Sequence, residues 1–155
     1  MKLQRVYIDT SVIGGCFDAE FASGSNQLMQ DFAAGRLKAV VSDIVSLEVN
    51  QGFDKLQAQF QQLLASQPEW VNVTDEVVIL ADAYQSHKIL TPKYYADGLH
   101  IALATIADVD VLVSWNFKHI VNFHRIRLFN GVNLSLGYKA IQIFSPLEVV
   151  TDEED

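Results

Sequence analysis

The alternation of two kinds of segment along this chain limits its fold more than any single residue does. Short apolar or β-branched runs at 3–8, 38–42, 70–73, 110–114 and 140–144 are separated by longer stretches whose apolar residues recur at helical spacing. Alternation of this kind, without an internal repeat or linker, predicts an α/β three-layer sandwich with a central, mostly parallel sheet and helices on both faces. The 155 residues suit one domain, expected over 1–150, and the run Asp152-Glu153-Glu154-Asp155 is expected to make 151–155 an acidic, disordered tail.

Local signals place the helices. Residues 25–35 carry Leu28, Met29, Phe32 and Ala33 on one face and end at Gly35, a suitable C-cap. Ser42 or Asp43 can cap the next helix, which holds Glu48 near Ile44, Val45 and Leu47. Residues 54–66 form a polar-backed amphipathic helix, and Thr74-Asp75-Glu76 opens another with Val77, Val78, Leu80, Ala81 and Tyr84. Thr91-Pro92 introduces a helix over 94–107, 117–123 reads as a short helix, and 131–137 is punctuated by Asn and Gly.

The helix over 94–107 carries the least ordinary pattern. Asp97, His100, Ile101 and Ala104 stand at i, i+3, i+4 and i+7, so a carboxylate shares a face with residues suited to burial. An uncompensated buried charge costs several kcal/mol, so Asp97 needs a cap, an ion pair or a metal. His100 reads as a packed, hydrogen-bonded helix residue rather than a general base. Asp9 ends the first strand in Asp9-Thr10-Ser11, and Ser114 and Asn116 end the strand over 110–114. In open α/β sheets ligands gather at that edge. Asp9, Glu48, Asp97 and Ser114/Asn116 can therefore converge there, where repelling carboxylates call for a cation. A hard divalent ion, Mg²⁺ or Mn²⁺, suits such oxygen donors.

Composition narrows the functional classes. No apolar run approaches the roughly 18 residues of a membrane span, and the start of the chain lacks a signal-peptide core, so a cytoplasmic protein without membrane attachment is expected. The single cysteine, Cys16, excludes an internal disulfide and a thiolate-rich zinc site. A net charge of −8 argues against simple electrostatic nucleic-acid binding, yet no Asp or Glu falls between Val111 and Leu147. Lys118, His119, His124, Arg125, Arg127 and Lys139 make that region locally basic.

Taken together, Asp9-Thr10-Ser11, Glu48 in Ser46-Leu47-Glu48, Asp97 in Asp97-Gly98-Leu99-His100-Ile101-Ala102, and Ser114-Trp115-Asn116 resemble, in order and spacing, the PIN-domain nucleases. The likeness is greatest to the small VapC-type toxins of bacterial toxin–antitoxin pairs, and it spans roughly residues 3–144. The resemblance implies a metal-dependent endoribonuclease, often a homodimer and often held inactive by an antitoxin. It implies Asp9, Glu48 and Asp97 as carboxylates binding Mg²⁺ or Mn²⁺, with Ser11 holding them or a metal-bound water. Asn116 departs from the family pattern, because many PIN domains place a further acid there. An amide brings no negative charge, which puts a second metal in doubt. On this reading Asn116 orients water or substrate, and Lys118, Arg125 and Arg127 contact RNA phosphates. Two alternatives stand beside it: a catalytically weakened PIN-like module that binds RNA or a partner, and a phosphatase with Asp9 as nucleophile.

Overall fold

The computed structural model of the protein describes residues 2–150, so the expected tail over 151–155 lies outside the described residues. Five strands, β1 (Arg5–Ile8), β2 (Lys38–Ser42), β3 (Glu69–Val71), β4 (Val111–Val113) and β5 (Ile143–Phe144), form one sheet in the order β3-β2-β1-β4-β5. Every pairing is parallel, with Tyr7 level with Val40 on one side and Leu112 on the other. Parallel neighbours require crossovers, which are supplied by α1 (Thr10–Gly14), α2 (Ala22–Ala33), α3 (Asp43–Asn50), α4 (Asp54–Leu64), α5 (Asp75–Ser86), α6 (Tyr95–Ile106) and α7 (Phe123–Ser135). The three-layer α/β sandwich expected from the alternation is the observed architecture.

Strand pleating divides the interior in two. Val6, Ile8, Ala39, Val41, Val111 and Val113 point into a core shared with α1 to α4, whereas Tyr7, Val40, Leu112 and Ile143 face a core built with α5, α6 and α7. The middle strands are buried on both faces, which is why they read as continuous apolar runs. Helix α6 is buried from Gly98 to Thr105, because it lies between the sheet and α5.

Two expected elements differ. Of the residues expected as a helix over 117–123, 117–121 form turns and a bend, and the helix begins only at Phe123, where the Asn122 side chain accepts the Arg125 backbone N–H at 3.1 Å. It then runs through the Asn- and Gly-punctuated segment. Asn133 is buried there and accepts a hydrogen bond from the Tyr84 hydroxyl, and Gly131 lies on the open side. On α2 the expected Ala33 is exposed, and the buried acid is Asp31, paired with Arg36 at 2.8 Å. Val78 of α5 is likewise exposed.

The segment after β4 is anchored through Trp115. Its indole stacks on Phe21 with centroids 4.3 Å apart, and its Nε1–H donates to Ser25 Oγ at 2.8 Å, which in turn donates to the Val12 carbonyl. Gly15 and Gly24 permit this approach. A Cβ on Gly15 would lie 2.6 Å from Trp115 Nε1 and against Ser25 Oγ, and one on Gly24 would lie 2.9 Å from the far edge of the same indole. Gly15→Ala is therefore expected to overpack the anchor by about 1–3 kcal/mol. A thermal melt should show a loss of roughly 2–10 °C; an unchanged melting temperature would mean the indole does not depend on that gap.

Candidate active site

Strand order reverses direction between β1 and β4: the chain first builds outward from β1 to β2 and β3, then crosses to β4 and β5. Their carboxyl ends border the crevice where this class of sheet binds ligands. Asp9 follows β1 directly, and Ser114 follows β4.

Asp9 is 4% exposed. Ser11 Oγ–H donates to its Oδ1 at 2.6 Å, and Ser114 Oγ–H donates to its Oδ2 at 2.6 Å. Ser11 Oγ also accepts the Trp115 backbone N–H at 2.9 Å, so the anchored segment is tied to the same carboxylate. Burial raises the Asp9 carboxyl above its ordinary range, aided by the Asp97 charge and opposed by His100, Ser11 and Ser114. The two serines therefore hold a group that its surroundings would otherwise drive to protonate.

Glu48 lies on α3 one turn and a half after the Ser42 cap, whose Oγ accepts the Val45 N–H. Its Oε1 accepts from Thr10 Oγ1 at 2.9 Å and from His100 Nε2 at 2.7 Å. His100 is buried on α6, and its Nδ1 meets the Tyr7 hydroxyl at 2.8 Å, which meets Ser42 Oγ at 2.8 Å. Burial pushes His100 downward, but the Glu48 hydrogen bond and the charges of Asp9, Glu48 and Asp97 outweigh it and raise the imidazole above 6.5. Burial likewise pushes Glu48 upward, and His100 and Thr10 reverse that effect, holding it below 4.5. His100 is thus packed and hydrogen-bonded, and the three acids draw it toward its charged form.

Asp97 is in the first turn of α6, with its Oδ2 2.9 Å from His119 Nδ1. His119 is buried with its ring 3.9 Å from that of Tyr94. Asn116 supports this arrangement: its Oδ1 accepts the His119 backbone N–H at 3.0 Å, capping the turn that carries the imidazole to Asp97. That oxygen is already engaged within the protein. A cleft of about 390 Å³ adjoins the site, lined by Ser11, Asp18, Phe21, Trp115 and Asn116.

The three basic candidates separate. Lys118 is exposed, with its Nζ 6.0 Å from the Tyr94 ring, and Lys93 lies 5.6 Å from the same ring. These two cations flank the aromatic that packs on His119. Arg125 bonds to the Lys118 carbonyl at 3.4 Å and otherwise lines a cleft made by the α5–α6 connection. Arg127 is exposed on α7, with its guanidinium 5.8 Å from the Phe123 ring. His119, Thr10, Tyr7 and Tyr94 were not legible as site residues: Thr10 entered only within Asp9-Thr10-Ser11 and His119 only as part of the basic region. Their partners lie between 22 and 93 residues away, with no periodic signal to join them.

The donors available to a metal are hard oxygens: the carboxylates of Asp9, Glu48 and Asp97 beside the hydroxyls of Ser11 and Ser114. That chemistry fits Mg²⁺ or Mn²⁺. Among the described residues, however, no three His, Cys, Asp or Glu side chains are gathered as a ligand set. Each acid instead has its own hydroxyl or imidazole partner.

Three solved structures share the fold. One chain of VapBC2 from Rickettsia felis, bound to a DNA fragment from its promoter, matches with 14% identity and a TM-score of 0.59 over 92% of this chain and 98% of its own. A chain of FitAcB from Neisseria gonorrhoeae matches with 12% identity and a TM-score of 0.61, covering 93% and 99%. A chain of a toxin–antitoxin complex from Klebsiella pneumoniae matches with 18% identity and a TM-score of 0.55, covering 74% and 88%. The likeness is one of fold. No protein-family model and no curated protein matches the sequence. Among the described residues no helix is long and apolar enough to cross a membrane.

The His100–Glu48 pair has a defined pH window. Its contribution through Glu48 is present above 4.5 and lost as pH falls through the lowered folded value, and its contribution through His100 is complete below 6.5 and lost as pH rises through the raised one. In metal-free protein, NMR titration is expected to show the His100 imidazole ionising above 6.5, and Glu48→Gln should bring it down. A His100 titration unmoved by Glu48→Gln would remove Glu48 as the main source of the shift.

Proposed function

We propose that this chain hydrolyses RNA phosphodiester bonds as a Mg²⁺- or Mn²⁺-dependent endoribonuclease and serves as the toxin of a toxin–antitoxin pair. The observation that carries the proposal is the placement of Asp9, Glu48 and Asp97 at the carboxyl edge of β1 and β4, all within electrostatic reach of His100. The likeness to chains of VapBC2 and of a toxin–antitoxin complex supports the biological setting. An antitoxin protein and a second copy of this chain are the partners this reading expects.

Asp9, Glu48 and Asp97 would hold the ion, which when bound lowers the pKa of a water and polarises the scissile phosphate. The protein's own groups prepare for that. Ser11 and Ser114 keep Asp9 fixed despite its burial, Thr10 and His100 orient Glu48, and His119 orients Asp97. Asn116 acts through His119 by capping its turn. Lys118, with Lys93, stands beside Tyr94 where a phosphate approaching Asp97 would meet positive charge and an aromatic face.

Purified protein is expected to cleave RNA in Mg²⁺ or Mn²⁺ and to stop in EDTA. Asp97→Asn should nearly abolish cleavage with the fold retained, and His119→Ala, which removes only a supporting partner, should lower it about 10- to 100-fold. Cleavage that persists in EDTA, with contaminating nuclease excluded, would defeat the metal-dependent reading. Metal binding and RNA binding without cleavage would favour the weakened binding module.

A further inference from the structure

Tyr7 lies in the middle strand of the sheet, level with Val40 and Leu112, and is completely buried in the core shared with α5, α6 and α7. A hydroxyl in such a place costs free energy unless it is bonded, and phenylalanine would otherwise fill the same space. The Tyr7 hydroxyl has two partners. It lies 2.8 Å from His100 Nδ1 on α6 and 2.8 Å from Ser42 Oγ at the end of β2. Its ring also meets the imidazole edge-on, with centroids 5.9 Å apart.

These contacts close a circuit through the candidate site. Ser42 Oγ accepts the Val45 N–H and so caps α3, α3 carries Glu48, Glu48 Oε1 meets His100 Nε2 at 2.7 Å, and His100 returns to Tyr7. An ionised Glu48 can only accept, so Nε2 must carry a proton. The opposite nitrogen, Nδ1, then accepts in the neutral imidazole and donates in the imidazolium. A backbone carbonyl there would serve only the charged ring, and a backbone N–H only the neutral one. A hydroxyl backed by a second hydroxyl serves both, because Tyr7 and Ser42 can exchange donor and acceptor roles. A ring turned over about its Cβ–Cγ bond would put carbon atoms toward both Glu48 and Tyr7 and lose both hydrogen bonds.

We propose that Tyr7 is a positioning residue of this site: its hydroxyl locks the His100 ring with Nε2–H on Glu48, and thereby holds the Glu48 carboxylate in the orientation it has beside Thr10. Among the described residues Tyr7 hydrogen-bonds to none of the three acids, so it acts on the site through His100. Its effect on metal affinity rests on the reading of Glu48 as an ion ligand. Its control of the imidazole rests on the contacts alone.

The test combines NMR of the full, metal-free chain labelled with ¹⁵N-histidine and calorimetric titration with Mn²⁺. In the wild type the His100 Nε2–H is expected as a slowly exchanging resonance, shifted downfield by its hydrogen bond to Glu48. Tyr7→Phe keeps the ring and removes only the hydroxyl. It should broaden or abolish that resonance and weaken Mn²⁺ binding about tenfold. A hydroxyl that merely stabilises the core would lower the melting temperature and leave both readouts where they were. Either an unmoved Nε2–H or, where the wild type binds Mn²⁺, an unmoved affinity overturns the proposal. Should Tyr7→Phe fail to fold, the wild-type spectrum decides: a protected Nε2–H together with a protected Tyr7 hydroxyl proton sustains it, and an Nε2 that is unprotonated or exchanges freely overturns it. Failure of the wild type to bind Mn²⁺ would instead defeat the metal-dependent reading, and the Tyr7→Phe spectrum would then decide the role of Tyr7 alone.

Discussion

A carboxylate buried at the end of the central strand must be hydrogen-bonded, and much of the candidate site follows from how Asp9 meets that requirement. Its two oxygens take hydroxyls from Ser11, two residues on, and Ser114, at the end of the neighbouring strand. The second bond ties β1 to the segment after β4, and that segment then needs its own fixture. Trp115 supplies it by occupying the gap left by Gly15 and Gly24. With Trp115 fixed, the turn from Asn116 carries His119 back to Asp97. One buried charge thus dictates the position of groups far from it in sequence.

The second requirement is charge balance. The Asp97 charge repels that of Asp9, and His100, whose own burial disfavours its cation, is drawn toward protonation by Asp9, Glu48 and Asp97. The balance is reached only because Glu48 bonds to it directly and Asp9 and Asp97 add their fields. The same balance accounts for the separate partners of the acids. Both oxygens of Asp9, one of Glu48 and one of Asp97 are meanwhile engaged by a hydroxyl or an imidazole.

The sheet and most helices were legible because hydrophobic alternation is a local record of burial. Asp9, Glu48 and Asp97 were legible as acids at strand ends or in helices among apolar residues. The expected helix over 117–123 and the expected break over 131–137 both came from judging residues by propensity alone. Asn and Gly weaken a helix, yet Asn122 caps α7 and Asn133 is held in its interior by Tyr84, interactions set by tertiary packing. Arg125 shows the converse limit. Its charge was visible in the sequence as one of several near the last strand, but its place in a cleft shared with Gln85 depends on how the α5–α6 connection folds.

Strand order also has a consequence for the chain as it is made. Strand β1 forms the middle of the sheet, and its neighbour on one side, β4, begins more than a hundred residues later. Until that later segment emerges from the ribosome, one edge of β1 has no parallel partner, and Asp9 lacks both Ser114 and the shelter of Trp115. Contacts of such long sequence separation form late and slowly. The edge that gathers the acids is therefore incomplete on the nascent chain, and any chemistry it performs must wait until synthesis has passed His119.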